Sequence, residues 1–245
     1  MEYDYDEELL NRLSENIARV KSEIRSCAIA AGRDPEDITL IGVSKVFPVG
    51  YAEAAAKAGL TDLGENRVQE LLPKIERFSS LDIDVNWHLI GTLQKNKVKY
   101  ITGKTKLIHS VNSVELAEEI SRRSVNNNVT SRILLQANVS GEESKHGFAP
   151  HELKPALDNI MDMPGIEVCG LMTMAPIETY EGEAREVFAR TRSIYEDLAS
   201  YVRSDSWKVL SMGMSHDYTS AILEGATHVR IGTAIFGDRS AYVPV

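Results

Sequence analysis

The chain has few cysteines and no long apolar run, and each scarcity removes a class of protein. Its 245 residues include only two cysteines, Cys27 and Cys169, too few for a disulfide scaffold or a cysteine-rich zinc site. No apolar run approaches the length that spans a membrane. The first eight residues are acidic and lack the basic-then-apolar pattern of a secretion signal. We therefore expect a cytoplasmic protein with no membrane partner.

Basic residues are also scarce relative to acidic ones. The chain has 27 Lys and Arg against 36 Asp and Glu, a formal net charge of −9. A surface that acidic argues against nucleic acid as a partner and against anionic membranes. Five lysines between positions 95 and 106 form a local exception, which fits either a solvated helix face or an anion-attracting patch.

What the chain does have is a regular alternation of strand and helix patterns. Apolar residues at helical spacing predict a first helix over 6–31, ended by Gly32. Strands are predicted at 39–43, 60–64, 85–90, 107–111, 133–139, 166–172, 208–212 and 227–231. Helical patterns lie between them at 51–58, 67–78, 94–101, 114–124, 151–161, 183–202 and 217–224.

Strands that alternate with helices indicate an α/β protein with a parallel sheet buried on both faces. Eight such units in this length predict a (β/α)8 TIM barrel, a single domain over 1–245 with an extra N-terminal helix. The alternative is a doubly wound open sheet. It is weakened because no Gly-x-Gly-x-x-Gly motif follows the first strand.

Two strand patterns near the end of the chain run into small and hydroxylated residues. They are Leu210 to Ser215 and His228 to Gly237, and helix-forming sequence follows each. Free backbone N–H groups at a strand-to-helix junction, with the positive end of the helix dipole, form a phosphate site. The last two strands of a β/α barrel commonly hold a phosphate. We therefore predict a phosphate site there.

An apolar strand at the front of the chain ends in Lys45. A lysine at a strand end is usually solvated, but Val46, Phe47 and Pro48 give this one an apolar wall. Desolvation lowers the pKa of a lysine and frees the neutral amine for attack on an aldehyde. An amine facing a phosphate site across a barrel mouth predicts a phosphorylated aldehyde held as a Schiff base.

Other polar residues in or after strands are candidates for the same site. Strand alternation directs Arg230 into the barrel, where it needs a phosphate, a ring nitrogen or a structural ion pair. Asn66 fits either a helix N-cap or an amide that faces the site. His88 fits either a satisfied core residue or a site residue, and Lys145 fits either a solvated loop lysine or a second amine.

Several different short motifs of this chain, most of them at strand ends, follow one another along nearly its whole length. They are Val43-Ser-Lys45, Gly64-Glu-Asn66, the segment from His88 to Lys97, Lys145-x-Gly147, Gly170-Leu-Met-Thr-Met, the segment from Leu210 to Asp217 and the segment from Arg230 to Gly237. Together they resemble the pyridoxal phosphate homeostasis protein family, single-domain relatives of the alanine racemase N-terminal barrel. One departure is Val46, where the family often carries a polar residue.

The resemblance implies a cofactor, pyridoxal 5'-phosphate (PLP), and a role for each candidate residue. Lys45 would hold PLP as a Schiff base, with Arg230 close to its phosphate or its pyridine nitrogen. The phosphate would be bound by Ser215, Gly232 and Thr233. The remaining cofactor contacts would come from Asn66, His88 and Ser211.

The resemblance also implies a non-catalytic protein that buffers PLP, keeps vitamin B6 and amino-acid pools in balance and supplies apo PLP-dependent enzymes. An arginine at the pyridine nitrogen weakens the electron sink that catalysis needs. Related racemases take a second base from a C-terminal domain, which this chain is too short to contain. The alternatives are a PLP-dependent racemase or decarboxylase and a Schiff-base aldolase on a phosphorylated substrate. The oligomeric state stays open between a monomer and a weak dimer.

Overall fold

Eight parallel strands close into one barrel in the computed structural model, which describes residues 4–142, 146–176, 182–202 and 205–240. Each strand pairs with its neighbour in sequence, and the first pairs with the last. The predicted (β/α)8 barrel is confirmed, and the open-sheet alternative is wrong. The strands are β1 (Thr39–Val43), β2 (Asp62–Glu65), β3 (Asn86–Leu89), β4 (Leu107–Val111), β5 (Ser131–Ala137), β6 (Ile166–Thr173), β7 (Val209–Ser211) and β8 (His228–Ile231).

Helices follow the strands and cover the outside of the barrel. They are α1 (Glu7–Ala30), α2 (Val49–Lys57), α3 (Val68–Ser80), α4 (Val98–Ile101), α5 (Val114–Asn126), α6 (Pro150–Ile160), α7 (Glu183–Ala199), α8 (Tyr218–Leu223) and α9 (Thr233–Phe236). The helix expected over 94–101 is a 3-10 turn, Lys95–Lys97, that leads into the short α4. Within the described residues, no helix is long and apolar enough to cross a membrane.

The extra N-terminal helix packs against the segment of the chain that follows β8. Asp6 caps α1 by accepting a hydrogen bond from a backbone N–H of the first turn. The buried stripe of α1 packs against the body of the protein, and its contacts include α8 and α9. The half-buried Asn16 donates to the carbonyl of Ile235, and the exposed Arg19 donates to that of Ala234, both at 2.9 Å. The helix therefore fixes the short segment that contains α9.

The interior of the barrel is divided into an apolar side and a polar side. Five buried side chains form a separate apolar cluster: Leu107, Leu134, Cys169, Met172 and Val209. Inward-facing polar residues of β2, β3, β4, β7 and β8 occupy the other side. A larger apolar core lies between the strands and the helices. Cys169 is thus a buried core residue, as expected from its place in a strand, and burial raises the pKa of its thiol to about 11.

Candidate functional site

A cavity of about 560 Å³ opens at the carboxyl end of the barrel, a volume typical of small-molecule sites. Loops that follow several different strands contribute to its wall. The lining includes six of the predicted site residues: Lys45, Asn66, Ser215, Arg230, Gly232 and Thr233. The fold therefore brings together, at one end of the barrel, predicted site residues that are far apart in sequence, from the turn after the first strand to the loop after the last.

Lys45 lies in the turn after β1, half-buried at the edge of this cavity. Its ammonium makes no hydrogen bond or ion pair with any residue that the structure describes. Burial lowers the pKa of Lys45, and the nearby positive charge of Arg239 lowers it further. The expected apolar wall is present as Phe47, whose ring centroid lies 4.8 Å from that of Tyr51 and 5.6 Å from that of Phe236. Both effects increase the neutral fraction of the amine relative to a solvated lysine, while Glu65 and Glu70 oppose them.

The turn that carries Lys45 is conformationally strained. Val46 has φ of +63°, a left-handed conformation that is costly for a β-branched residue. Its backbone N–H donates to Glu70 Oε2 at 2.8 Å, which holds the turn in place. The turn therefore keeps its shape in spite of the valine.

A buried ion pair supports the same turn from below. Lys74 Nζ lies 2.5 Å from Glu65 Oε1 and donates to the carbonyl of Ser44 at 2.8 Å. The Ser44 hydroxyl donates to Glu65 Oε1 at 2.6 Å. Burial raises the pKa of Glu65, although Lys74 opposes that shift. Because Ser44 precedes Lys45, the pair anchors the backbone from which the free amine projects.

The loop after β8, where the sequence predicts a phosphate site, is organised around the hydroxyl of Ser215. Ser215 Oγ accepts hydrogen bonds from the backbone N–H groups of Gly232 at 3.2 Å and Ala234 at 3.3 Å. The side chain of Thr233 is exposed at the same place. Helix α8 has six residues and α9 has four, so few peptide dipoles add along either axis. The polar groups of this loop are therefore its hydroxyl and N–H groups, with little contribution from a helix dipole.

Arg230 forms part of the floor of the cavity. Its Nη1 donates to Ser211 Oγ at 2.6 Å, and its Nη2 donates to the carbonyl of Thr173 at 2.8 Å. Burial lowers the pKa of Arg230 to about 10, with Asp217 opposing the shift, so the guanidinium stays protonated at neutral pH. The prediction that this side chain points into the barrel is confirmed.

Two of the predicted cofactor contacts, His88 and Ser211, do not line this cavity, and the position of a third candidate, Lys145, is not described. His88 is 1% exposed and points towards the amino end of the barrel, where its Nε2 lies 2.9 Å from Asp62 Oδ1. His88 therefore does not line the carboxyl-end cavity as expected: β3 ends at Leu89, and the loop after it lines the cavity instead. Ser211 is fully buried behind Arg230, which it contacts. Lys145 lies outside the described residues.

Sequence reasoning missed three residues that shape the site. Arg239 lines the mouth, and Lys74 supports the turn of Lys45. His109 is fully buried inside the barrel, between His88 and Ser211. A signal for His109 was available, since it interrupts an apolar strand in the way that Arg230 does.

Two desolvated histidines, the fully buried His109 and the half-buried His228, predict a steep loss of stability in acid. Burial lowers the pKa of His228 to about 3, and it lowers the pKa of His109 well below the ordinary value. Because both pKa values are lowered in the folded protein, the stability that the two neutral rings contribute is fully present above pH 6.5. It is lost as the pH falls from there towards the folded pKa of each ring. Unfolded rings take up a proton near 6.5, while the folded ones remain neutral. Each ring should contribute about 1.4 kcal/mol per pH unit across that window.

Urea unfolding at a series of pH values between 7 and 4 measures this slope. We expect His228→Gln to remove one ring's share of it. The exposed His151 offers a matched control, and His151→Gln should leave the slope as in the wild type. A wild-type slope in His228→Gln would contradict the assignment.

The barrel with its carboxyl-end cavity corresponds to a known kind of domain. A family model described as the N-terminal domain of alanine racemase matches residues 10–240 of the chain. The fold and the position of the cavity thus define a barrel of the alanine racemase type.

Closer relatives share both the fold and nearly the whole length. A pyridoxal phosphate homeostasis protein of Aquifex aeolicus is 42% identical over 225 residues, which cover 92% of this chain and 97% of the relative. A crystal structure of a Bifidobacterium adolescentis protein is 35% identical with a TM-score of 0.88, covering 96% of this chain and 98% of that one. PipY of Synechococcus elongatus, solved with PLP bound, is 33% identical with a TM-score of 0.81, covering 92% and 100%. The chain belongs to the pyridoxal phosphate homeostasis protein family.

Proposed function

We propose that this protein binds PLP in the carboxyl-end cavity, holds it reversibly as a Schiff base on Lys45, and maintains the intracellular supply of the cofactor without catalysing amino-acid chemistry. The observation that carries this proposal is the half-buried amine of Lys45, which has no partner among the described residues and shares a cavity with the loop of Ser215 and a buried guanidinium. The bound PLP in the structure of PipY and the names of the relatives support the same assignment.

The residues present fit such a cofactor at both of its reactive ends. Ser215 and Thr233 offer hydroxyl groups to a phosphate, in a loop that the N–H of Gly232 fixes by donating to Ser215 Oγ, and Lys45 offers an amine to an aldehyde. Apolar side chains of the wall, Phe47 and Ile90 among them, suit an aromatic ring between these ends. When bound, PLP supplies a reactive aldehyde and an electron-withdrawing ring. Lys45 would supply the amine for the aldehyde carbon, and its two amine hydrogens would leave with the aldehyde oxygen as water.

The charge of Arg230 favours storage over catalysis. Its guanidinium is held on the cavity floor by Ser211 and by the carbonyl of Thr173, and it has no proton-accepting atom. A cation in that position opposes protonation of a nearby pyridine nitrogen and weakens electron withdrawal by the ring. We infer that the site binds the cofactor well but activates bound amino acids poorly.

Transfer of PLP to an apo-enzyme tests this function. Holo-protein mixed with a PLP-free transaminase should restore transaminase activity, whereas holo-protein whose Schiff base has been reduced with borohydride should not. The same holo-protein, incubated with L-alanine and other amino acids, should show no meaningful turnover. Racemisation or decarboxylation at about 1 per second or faster would establish an enzyme instead. A purified protein that neither contains nor takes up PLP would favour a Schiff-base aldolase.

Weakening the phosphate loop should loosen PLP while the barrel stays folded. Ser215→Ala removes the hydroxyl that organises the loop, and Thr233→Val removes an exposed hydroxyl at its edge. A hydrogen bond to a charged group contributes about 1.5–3 kcal/mol, so each variant should bind PLP about tenfold more weakly or worse. Fluorescence titration of apo-protein with PLP measures the change. Unchanged affinity in both variants would exclude these residues as phosphate ligands.

A further inference from the structure

A continuous row of hydrogen bonds runs through the polar side of the barrel interior and ends at Arg230. It begins at Asp62, next to the opening at the amino end. The separations are 2.9 Å from Asp62 Oδ1 to His88 Nε2, 3.0 Å from His88 Nδ1 to His109 Nε2, 2.9 Å from His109 Nδ1 to Ser211 Oγ, and 2.6 Å from Ser211 Oγ to Arg230 Nη1.

The chemistry of the two ends sets the direction of every bond in the row. Arg230 can only donate, and an ionised Asp62 can only accept. With both imidazoles neutral, every hydrogen therefore points towards Asp62. Ser211 accepts from Arg230 and donates to His109 Nδ1. Each histidine then carries its hydrogen on Nε2, and every nitrogen and oxygen along the row has a partner.

Burial maintains this arrangement. His88, His109 and Ser211 are at most 1% exposed, so water does not compete for their hydrogen bonds. Burial lowers the pKa of His109 well below its ordinary value, and the positive charge of Arg230 adds to that effect. For Asp62, burial opposes ionisation, but hydrogen bonds from His88 and Thr61 outweigh it and lower its pKa. The charged carboxylate of Asp62 at one end and the neutral ring of His109 further along the row are thus mutually consistent.

We propose that Asp62, His88, His109 and Ser211 are positioning residues for Arg230. They form a relay, a row of hydrogen bonds in which every hydrogen points towards Asp62, and this relay orients the guanidinium towards the cofactor. It also connects the opening at the amino end of the barrel to the cofactor site. The proposal rests on the proposed function, because it takes Arg230 to contact bound PLP. A satisfied polar core would need the same hydrogen bonds for stability alone. The distinguishing property is that a change at Asp62 is felt at the opposite end of the barrel.

Asp62→Asn changes the relay with the smallest possible change in shape. The amide can donate as well as accept, so the direction of the row is no longer fixed. When the row reverses, Ser211 receives hydrogens from both His109 and Arg230, and its bond to the guanidinium weakens. Asp37 lines the same opening but is not part of the row, and Asp37→Asn makes the same change of charge as a matched control.

Nitrogen-15 NMR of the imidazoles tests the relay without any cofactor. In wild-type apo-protein, His88 and His109 should both be neutral with the hydrogen on Nε2. Asp62→Asn should give a mixture of tautomers, and Asp37→Asn should match the wild type. A protonated ring, or a hydrogen on Nδ1 of either ring in the wild type, would overturn the proposal.

The cofactor provides the second readout. Asp62→Asn should shift the visible absorption band of bound PLP, and Ser211→Ala should release PLP about tenfold faster than the wild type, while Asp37→Asn behaves as wild type. If the wild type binds PLP and Asp62→Asn has the wild-type band and release rate, the relay is refuted while the proposed function stands. A wild type that does not bind PLP refutes the proposed function itself.

Discussion

Lys45→Ala should abolish both the visible absorption band of the purified protein and the adduct that borohydride reduces. Lys45 is the half-buried amine at the mouth of the cavity, its pKa is lowered by burial, and it has no partner among the described residues. The buried Lys74 cannot replace it, because Glu65 and the carbonyl of Ser44 bind its ammonium. Absorption spectra before and after reduction, followed by digestion and mass spectrometry, locate the modified lysine.

The exposed Lys57 at the end of α2 provides the control for this experiment. Lys57→Ala should keep the band and a full stoichiometry of reduced adduct. The barrel should remain folded in both variants, since neither side chain is part of the core. Label found only on Lys145, or on any lysine other than Lys45, would show the assignment to be wrong.

Lys74→Met should destabilise the protein by about 3–5 kcal/mol, the largest effect that we expect from a single substitution outside the mouth. The change leaves Glu65 without its cation. Glu65 is fully buried, and its Oε2 already lacks a hydrogen-bond partner among the described residues. The cost arises from burying an uncompensated carboxylate rather than from lost packing, because methionine has a similar length and an apolar stem.

A double-mutant cycle separates these two causes. Lys74→Met combined with Glu65→Gln removes both charges, so most of the lost stability should return. Urea unfolding of the wild type, both single variants and the double variant measures the coupling. A double variant no more stable than Lys74→Met would contradict the uncompensated charge as the cause.

Local sequence patterns were sufficient for the architecture. The alternation of apolar strands and amphipathic helices predicted the barrel, because each unit has to bury a strand on both faces. Predicted boundaries drifted where a polar residue begins a strand. β5 starts at Ser131 rather than at residue 133, and the Ser131 hydroxyl is paired with that of Ser124. A hydroxyl that finds a partner inside the fold cannot be recognised as buried from its own neighbourhood.

Site residues could be predicted where a charged side chain lies in or directly after an apolar strand. They could not be predicted where their role depends on contacts across the barrel. Lys45 and Arg230 stood out because each interrupts an apolar run with a charge. The contact between His109 and Ser211 joins residues 102 positions apart, and no local pattern encodes it. The misplacement of His88 has the same origin: its role depends on how far a strand extends, which the sequence specifies only within a few residues.

The polar row inside the barrel also bears on how the chain folds. Asp62, His88 and His109 belong to β2, β3 and β4, while Ser211 and Arg230 belong to β7 and β8. The bond between His109 and Ser211 therefore joins the first half of the barrel to the second. A half-barrel formed alone would lack this bond, which is worth about 0.5–1.5 kcal/mol, and would expose the apolar side chains of its inner face to water. Partial folding is penalised in both halves, and we expect the closed barrel to form and unfold in one cooperative step.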